Sequence, residues 1–474
     1  MSELETTQIA VIGAGPGGYV AAFKAADLGL EVTLIDLDPN PGGVCLYRGC
    51  IPSKALLHIA KLITETREAA EWGVSFGEPQ IDLAKLNSFK DRVIARMTGG
   101  LGQLAKARKV RFIQGRASFD SPTSLKIDGT DGSWIDLRFE HAILATGSRP
   151  TVLPIFDIDS DRVMDSTGAL ELAEIPQSML VVGGGIVGLE LGSVYAALGT
   201  SVSVVEMLPG LVPPADRDLV KPLHARLEKQ FEEIHLSTKV VGIKEKADGI
   251  DVEFEDGAGK SWTKGYSKLL VSIGRRPNSE GLGIEHTAVQ LNEAGFVQVD
   301  LQRRTHEPSI LAIGDLIGSG LAHTASHEGA VAAEVIAGKR VAFEPNAIPN
   351  VVYTDPEIAW CGVTEAEAER EGRTIEVAKF PWGASGRATT VDRNDGLTKL
   401  IIEPESGRIL GAGIVGVGAG ELIAEAVLAV EMAALASDLQ LTIHPHPTLS
   451  ETVMEAAEVY YGQSPHIYAP KKGG

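Results

Sequence analysis

The fold is decided near the amino terminus by the stretch Gln8-Ile9-Ala10-Val11-Ile12-Gly13-Ala14-Gly15-Pro16-Gly17-Gly18. Its apolar run predicts a buried strand, and its glycines, followed by an alanine-rich segment, predict a tight turn into a helix. Gly13 permits the turn, Gly15 lets the backbone approach a pyrophosphate, and Gly18 lets the helix pack closely on the strand. The next strand ends in Asp36, whose carboxylate can accept hydrogen bonds from both ribose hydroxyls of a dinucleotide.

The same pattern returns in the stretch Ser178-Met179-Leu180-Val181-Val182-Gly183-Gly184-Gly185-Ile186-Val187-Gly188. Gly183, Gly185 and Gly188 repeat the glycine spacing, and the strand that follows ends in Glu206. An acid at that place repels the 2′-phosphate of NADP, and residues 207–211 hold no cation to attract it. The second unit is therefore predicted to bind NAD. The alternative is a degenerate copy of the unit without a ligand.

Short apolar runs alternate with helical stretches, which is typical of parallel sheets covered by helices on both faces. We expect the first unit to close near Gly147 and the second to end near Gly274. The strand that precedes Asp315 is expected to return to the first unit. After Pro345 the pattern changes to strands and then to an alanine-rich helix over residues 422–435. The chain is therefore expected to be an α/β protein with two nucleotide-binding units and a third domain.

Two of the three cysteines lie in the segment Gly42-Gly43-Val44-Cys45-Leu46-Tyr47-Arg48-Gly49-Cys50-Ile51-Pro52-Ser53-Lys54, beside the first unit. Three cysteines are too few for a secreted disulfide scaffold. No second close pair exists to complete a zinc site, which remains a weak alternative. We therefore expect a redox role for the pair and no metal. Cys361 has no partner in the sequence and is expected to be a small core residue.

The spacing of the pair sets a condition on the backbone. In a regular helix Cys45 and Cys50 would lie ~7.5 Å apart along the axis, which is too far for a disulfide. A bond between them therefore requires a break in the helix, which Gly49 can provide. A helix that begins at Cys50 would stabilise its thiolate. Cys45, nearer the loop, is then the better candidate to exchange with an external substrate.

A histidine- and proline-rich segment, residues 444–451, reads His-Pro-His-Pro-Thr-Leu-Ser-Glu. Thiol–disulfide exchange needs a base that takes a proton from the attacking thiol and returns it later. Histidine titrates near neutral pH, and a neighbouring carboxylate can orient it. The segment is therefore a candidate for that base, the alternative being a purely structural turn.

The net charge of −20 argues against a nucleic-acid partner and against anionic membrane surfaces, which both require a basic face. No uninterrupted stretch reaches the ~18 apolar residues of a membrane span. Residues 1–5 contain no basic segment or apolar run of the kind found in a secretory signal. We therefore expect a cytoplasmic protein without a membrane span.

Together these motifs resemble the dihydrolipoamide dehydrogenases, members of the pyridine nucleotide-disulfide oxidoreductase family. The resemblance covers essentially the whole chain. Its motifs are GGVCLYRGCIPSK (42–54), ATGSRP (145–150), GGGIVGLE (183–190), AIGD (312–315), YTDPEIAWCGVTE (353–365) and HPHPTLSE (444–451).

The resemblance implies roles for individual residues. Cys45 and Cys50 would form the redox-active disulfide, with Cys45 as the interchange thiol and Cys50 as the charge-transfer thiol. His446 would be the base, oriented by Glu451 and contributed by the other subunit of a homodimer; His444 is then only its neighbour. The remaining implied contacts are a Lys54–Glu190 pair beside the flavin N5, Asp315 on the ribityl chain, and the motif glycines Gly147 and Gly274 at the cofactors.

The resemblance also implies an FAD-binding domain at residues 1–149 and an NAD-binding domain at 150–272. A central segment, 273–345, would complete the FAD domain, and an α+β dimerisation domain would occupy 346–474. The implied reaction is the NAD-dependent oxidation of protein-bound dihydrolipoamide.

The implied partners are the lipoyl domain of an acyltransferase or of a glycine-cleavage carrier protein, and the acyltransferase core as a docking site. No lipoyl domain precedes the first strand, so the lipoyl group is expected from another protein.

The alternatives are another NAD(P)-dependent disulfide reductase of the family, or a subunit that mainly docks. Glutathione-type reductases use NADP, which Glu206 disfavours, and mercuric reductases carry a C-terminal cysteine pair that this chain lacks. Tyr47 and Arg48 depart from the family, which commonly has Asn-Val at these positions. Because the two residues lie between the cysteines, they can alter the disulfide potential or the access of the substrate.

Overall fold

The computed structural model describes residues 5–468; residues 1–4, where no signal was recognised, and residues 469–474 of the predicted last domain lie outside the described residues. The amino-terminal part contains β1 (Glu5–Ile12), α1 (Pro16–Asp27), β2 (Val32–Asp36), α2 (Gly43–Arg48), α3 (Cys50–Glu68), α4 (Leu83–Ala107), β3 (Arg111–Ser121), β4 (Ser124–Gly129), β5 (Trp134–Leu144) and β6 (Ser148–Pro150). Strands β3, β2, β1 and β5 are adjacent and parallel. An antiparallel β3-β4-β5 meander extends the sheet.

The second part repeats this plan. Its elements are β7 (Val163–Met164), α5 (Ser166–Glu171), β8 (Ser178–Val182), α6 (Ile186–Leu198), β9 (Ser201–Val205), α7 (Arg217–Gln230), β10 (Glu233–His235), β11 (Thr238–Lys246), β12 (Gly249–Asp256), β13 (Ser261–Tyr266), β14 (Lys268–Val271) and β15 (Arg275–Pro277). The sheet β10-β9-β8-β14-β7 is parallel throughout, and β11-β12-β13 form an antiparallel meander. Because β15 pairs antiparallel with β6, the chain enters and leaves this unit through adjacent strands.

The chain then returns to the first unit. Strand β16 (Ile310–Ala312) pairs parallel with β5, and helix α8 (Ala322–Ile336) packs on α1. The two helices approach closely at Gly329, where a Cβ would lie 2.4 Å from the carbonyl oxygen of Gly17. The expected return to the first unit before Asp315 is therefore confirmed by the strand pairing.

The last part is a separate sheet with helices on it. Its elements are β17 (Asn350–Val352), β18 (Glu357–Gly362), α9 (Glu365–Glu371), β19 (Glu376–Pro381), α10 (Gly386–Thr390), β20 (Leu397–Ile402), β21 (Ile409–Gly416), α11 (Ala419–Glu431), α12 (Ala436–Leu441) and α13 (Glu451–Tyr460). The five strands are antiparallel in the order β17-β18-β21-β20-β19. Helix α11 packs on β18 and β21, and α13 packs on β19 and β20.

The expected α/β class with two nucleotide-binding units and an α+β domain is confirmed, and Cys361 is a core residue, 1% exposed. The helix predicted over residues 422–435 is wrong at both ends, since α11 spans Ala419–Glu431. Ala433 has a φ of +53°, a left-handed conformation that ends a right-handed helix. The N–H of Ala434 then donates to the carbonyl oxygen of Ala429 at 2.8 Å. None of the helices between residues 5 and 468 is long and apolar enough to cross a membrane. The domain boundaries themselves stay a prediction.

A buried lysine joins the second unit to the last sheet. Lys399 on β20 is 1% exposed, and its Nζ lies 2.6 Å from Asp216, 2.8 Å from Asp218 and 2.7 Å from Glu365. The two aspartates stand at the start of α7, and the glutamate begins α9. The three carboxylates converge as metal ligands would, but here the ammonium of Lys399 lies among them.

Substitution of this lysine tests its role between the two units. Lys399→Met leaves the buried carboxylate of Asp216 without the lysine that it pairs with, and an unpaired buried charge costs about 3–5 kcal/mol. We expect a clearly lower midpoint of urea or thermal unfolding, followed by fluorescence. Lys379→Met is the matched control, since Lys379 contacts Asp218 at 2.7 Å and Glu365 at 3.0 Å but its side chain is 39% exposed. Equal shifts in the two variants would contradict a special role for the buried lysine.

Candidate active site

The first glycine motif forms an open cradle at the start of α1. Gly13 has a φ of +99°, and a Cβ there would lie 2.3 Å from the carbonyl oxygen of Ala145. A Cβ at Gly18 would lie 1.8 Å from the carbonyl oxygen of Gly13, so only glycine lets the helix start this close to the strand. At Gly15, by contrast, the nearest atom to a Cβ would be the Cα of Gly43, 4.0 Å away. The space in front of the helix N-terminus is therefore open, as a pyrophosphate requires.

The second motif has the same geometry. Gly183 has a φ of +107°, and a Cβ at Gly188 would lie 2.5 Å from the carbonyl oxygen of Gly183. Nothing lies within 4 Å of a Cβ placed at Gly185, so the start of α6 is open as well. The residues present thus fit a dinucleotide at both motifs.

The acids that end β2 and follow β9 also have matching contacts. Each carboxylate accepts two backbone N–H groups, over the distances Ala14 N–Asp36 Oδ2 2.5 Å, Asp38 N–Asp36 Oδ1 2.9 Å, Gly184 N–Glu206 Oε2 2.7 Å and Leu208 N–Glu206 Oε1 2.7 Å. These bonds fix the carboxylates but leave each oxygen a further lone pair for a ribose hydroxyl. Burial raises the pKa of the Asp36 carboxyl, and its backbone hydrogen bonds oppose that shift.

Asp315 and two of the predicted motif glycines, Gly147 and Gly274, lie at or next to the paired strands β6 and β15. The hydroxyl of Ser148 donates to Asp315 Oδ2 at 2.5 Å, and Arg275 Nε donates to the same hydroxyl at 2.7 Å. Gly147 and Gly274 have φ values of +68° and +110°, and a Cβ on Gly147 would meet nothing within 4 Å. The antiparallel β6–β15 pair brings these segments together, so they line one crossing between the two nucleotide-binding units.

The cysteine pair lies where α2 ends and α3 begins. Gly49 separates the helices with φ −147° and ψ −117°, and a Cβ there would lie 2.8 Å from the carbonyl oxygen of Val44. The helix break that a disulfide requires is therefore present. Both cysteines are free thiols in this structure, and they lie close enough for each to shift the pKa of the other.

The two thiols titrate in opposite directions. The hydrogen bond from Cys45 is the largest of the causes that lower the pKa of Cys50 to about 7, and Lys54 lowers it further against the effect of burial. The same hydrogen bond raises the pKa of Cys45, because its thiol is the donor. The backbone N–H of Cys50, at the start of α3, also lowers this pKa, but less than Cys45 and Lys54 do. Cys50 is therefore the thiol that ionises first.

Cys45 lies in the short helix α2, nearer to the loop between β2 and α2 than Cys50 is. It is half-buried, whereas Cys50 is exposed in the chain as described.

A buried ion pair stands one helical turn beyond Cys50. Lys54 Nζ lies 2.7 Å from Glu190 Oε2, and the side chain of Glu190 is 4% exposed. The other oxygen of Glu190 accepts the backbone N–H of Tyr353 at 3.0 Å. Lys54 Nζ also lies 4.5 Å from the centre of the Tyr353 ring, a cation–π contact. The residues of the predicted pair thus meet, and Tyr353, which opens the YTDPE motif, is a member of the cluster that the sequence did not identify.

The histidine segment presents one histidine to solvent and encloses the other. His446 Nδ1 donates to Glu451 Oε1 at 2.9 Å, and the histidine side chain is 77% exposed. Its Nε2 is therefore the free, basic nitrogen. His444 is 5% exposed, and its two ring nitrogens face the Thr442 carbonyl oxygen at 2.9 Å and Glu425 Oε1 at 2.8 Å. Only His446 is arranged to take a proton from an incoming thiol.

The carboxylate behind this base is itself fixed. Glu451 begins α13, and its second oxygen accepts the N–H of Thr448 at 2.7 Å. Burial opposes the shift, but the Thr448 N–H and His446 lower the pKa of the Glu451 carboxyl. The glutamate therefore remains ionised and can stabilise a protonated His446.

Sequence comparison places these features in a family. The family described as pyridine nucleotide-disulphide oxidoreductase matches residues 7–329, and its dimerisation domain matches residues 348–457. Among solved structures, LpdA from Mycobacterium tuberculosis has a TM-score of 0.88 at 27% identity, covering 95% of this chain and 99% of its own.

Full-length relatives are more similar still. The dihydrolipoyl dehydrogenase of Vibrio cholerae is 48% identical over 476 residues, covering 100% of both chains. That of Haemophilus influenzae is 49% identical over 463 residues, covering 98% of this chain and 96% of its own. That of Thermus scotoductus is 45% identical over 468 residues, covering 98% of this chain and 99% of its own. The chain therefore belongs to the dihydrolipoyl dehydrogenases of the pyridine nucleotide-disulphide oxidoreductase family, oxidoreductases that use FAD and NAD to reoxidise dihydrolipoamide.

Proposed function

We propose that this chain reoxidises protein-bound dihydrolipoamide at a Cys45–Cys50 disulfide, with His446 and Glu451 of a partner subunit as the base. The observation that carries the proposal is the contact of the two thiols across Gly49, with the Lys54–Glu190 pair one helical turn away. It supports a disulfide that opens into two unlike thiols. FAD at the first motif and NAD at the second, when bound, supply the electron and hydride chemistry.

The exchange proceeds in two steps. His446 Nε2 takes the proton of one substrate thiol, and the resulting thiolate attacks Cys45 Sγ, breaking the disulfide and releasing Cys50 as a thiolate. The second substrate thiol then attacks the substrate sulfur of the mixed disulfide, which breaks the bond to Cys45 and closes the cyclic disulfide of lipoamide. Its proton passes to the departing Cys45 sulfur, whose pKa is raised, and the first proton stays on His446. The substrate has lost two electrons and two protons, and the cysteine pair has gained the electrons. The low pKa of Cys50 makes it the better leaving group in the first step.

A homodimer is supported by the dimerisation-domain match. Exposed apolar side chains also occur on the elements next to the histidine segment: Leu428 on α11, Met432 just after it, Leu441 at the end of α12, and Ile443 before His444. Apolar surface of this kind is typical of a protein interface. We propose that a second copy covers it, and that each His446–Glu451 pair serves the disulfide of the other chain.

The proposed external partners are lipoyl-bearing proteins. The lipoyl group would come from the acyltransferase of a 2-oxoacid dehydrogenase complex, whose core would dock this enzyme, or from a glycine-cleavage carrier protein. The proposed compartment is the cytoplasm. Co-purification of a lipoylated protein would distinguish the complexes.

Cys45→Ser tests the disulfide assignment. A disulfide cannot form in this variant, so we expect lipoamide turnover to be abolished while bound FAD and the oxidation of NADH by a dye persist. Cys361→Ala is the control, because it removes the buried third cysteine and leaves the pair intact. Lipoamide turnover that survives in Cys45→Ser would show that the disulfide is assigned wrongly.

The pH dependence of thiol alkylation tests the unlike thiols. In the reduced enzyme, the alkylation rate of Cys50, followed by peptide mass spectrometry, should rise with pH through an inflection near 7. Cys45→Ala removes the hydrogen bond that favours the thiolate, so its inflection should move to higher pH. Cys45→Ser keeps a donor and should move it less. An inflection that stays near 7 in Cys45→Ala would refute the proposed cause.

His446→Gln tests the base. Loss of general-base catalysis should slow lipoamide turnover by about 10²–10⁴-fold, while oxidation of NADH by a dye, which needs no substrate thiol, should remain. His444→Gln should retain most of the turnover, since both nitrogens of His444 are already engaged. Equal losses in the two variants would argue against His446 as the base.

A further inference from the structure

The two residues between the cysteines that depart from the family make contacts of their own. The two terminal guanidinium nitrogens of Arg48 donate to the carboxylate of Asp38, Nη1 to Oδ1 at 3.1 Å and Nη2 to Oδ2 at 2.7 Å. The hydroxyl of Tyr47 donates to the carbonyl oxygen of Asn40 at 3.2 Å. Both contacts reach back to the loop 37–42 between β2 and α2. They therefore hold the end of α2 against that loop.

The helix that they hold is short and packs against α3, α4 and α5. Helix α2 is six residues long, and only Gly43 and Leu46 are buried. A helix this short is not stable on its own, so contacts with its surroundings decide its position. The Arg48–Asp38 pair suits that purpose, because its two parallel hydrogen bonds set an orientation as well as a distance. The Asp38 side chain is 15% exposed, so the pair is only partly screened by solvent.

The same pair is linked to the acid predicted to bind the FAD ribose. The backbone N–H of Asp38 donates to Asp36 Oδ1 at 2.9 Å, and Asp36 Oδ2 accepts the N–H of Ala14 in the glycine motif at 2.5 Å. A continuous series of hydrogen bonds therefore runs from the motif through Asp36 and Asp38 to Arg48, which is separated from Cys50 only by Gly49.

Resting on the proposed disulfide, we propose that Arg48, acting through Asp38, is a positioning residue that holds Cys45 against Cys50 and couples the disulfide to the ribose acid Asp36. The effect is one of geometry. The neighbouring charges that act on Cys50 are those of Lys54 and Glu190, and the charge of Arg48 is matched by Asp38. Loss of the pair loosens α2, lowers the effective concentration of one thiol at the other, and so favours the dithiol over the disulfide.

The test measures the dithiol–disulfide equilibrium of the holoenzyme in dithiothreitol redox buffers, by acid quenching and alkylation. Arg48→Val should shift the equilibrium about fivefold to tenfold toward the dithiol, a tenfold shift being about 30 mV. Asp38→Asn, which keeps the backbone N–H to Asp36, should give a similar shift. The double variant should add little, because both changes remove the same contact. Arg48→Lys should keep only part of the parent enzyme's preference for the disulfide, since an ammonium cannot make the two parallel hydrogen bonds.

Two further readouts separate positioning from general weakening or direct electrostatics. In both Arg48→Val and Asp38→Asn the alkylation inflection of Cys50 should move to higher pH, because a looser Cys45 stabilises the Cys50 thiolate less; direct electrostatics would move it in opposite directions in the two variants. The dissociation constant for FAD should rise in Arg48→Val, because the loop that fixes Asp36 is then held less firmly. Arg108→Val is the matched control: Arg108 Nε pairs with both oxygens of Asp27 at 3.0 and 3.1 Å in the same unit, away from α2. This control should leave the disulfide equilibrium unchanged.

The outcomes are distinct. An equilibrium in Arg48→Val within twofold of the parent, or an equal shift in Arg108→Val, would overturn the positioning role. If the positioning role were overturned in this way but Cys45→Ser lost lipoamide turnover, the proposed function would stand without the Arg48 contact. If Cys45→Ser kept its turnover, the disulfide itself would be wrong.

Discussion

The site depends on one interaction, that between the thiols of Cys45 and Cys50, each of which shifts the pKa of the other. Two like groups become unlike because one donates and the other accepts, so one ionises near neutral pH and the other resists ionisation. That contact exists only because the chain breaks its helix at Gly49, where a side chain would collide with the Val44 carbonyl. The other groups at the site act on this difference: Lys54 favours the Cys50 thiolate, and Glu190 holds Lys54 in place.

The rest of the chain is organised around two copies of one nucleotide-binding unit. In both copies a strand runs through a glycine turn into a helix, and in both the acid at the next strand is fixed by the same two kinds of backbone N–H. The duplication explains how a single chain can hold two dinucleotides. The short β6–β15 pair and the buried Lys399 then fix the second copy relative to the first unit and the last sheet.

Much of this could be predicted from the sequence because the signals are local. The glycine spacing, the terminal acids and the helix start at Cys50 each involve a few neighbouring residues, and the structure has them as expected. The end of α11 could not be predicted, because alanine continues in the sequence while Ala433 adopts a positive φ to let the chain turn back. Tyr353 could not be predicted either, because the residues that it contacts, Lys54 and Glu190, lie more than a hundred positions away in the sequence.

By itself the sequence determined the α/β class, the two nucleotide motifs, the preference for NAD and the presence of a close cysteine pair, because each of these is written in residue type and spacing. Only the tertiary structure decided which group does most to lower the pKa of Cys50, which of two histidines keeps a free nitrogen, and what Tyr47 and Arg48 contact. A pKa depends on which groups surround a side chain after folding, and a hydrogen bond depends on where its partner lies. Those distances are set by packing between distant segments, which spacing along the chain does not specify.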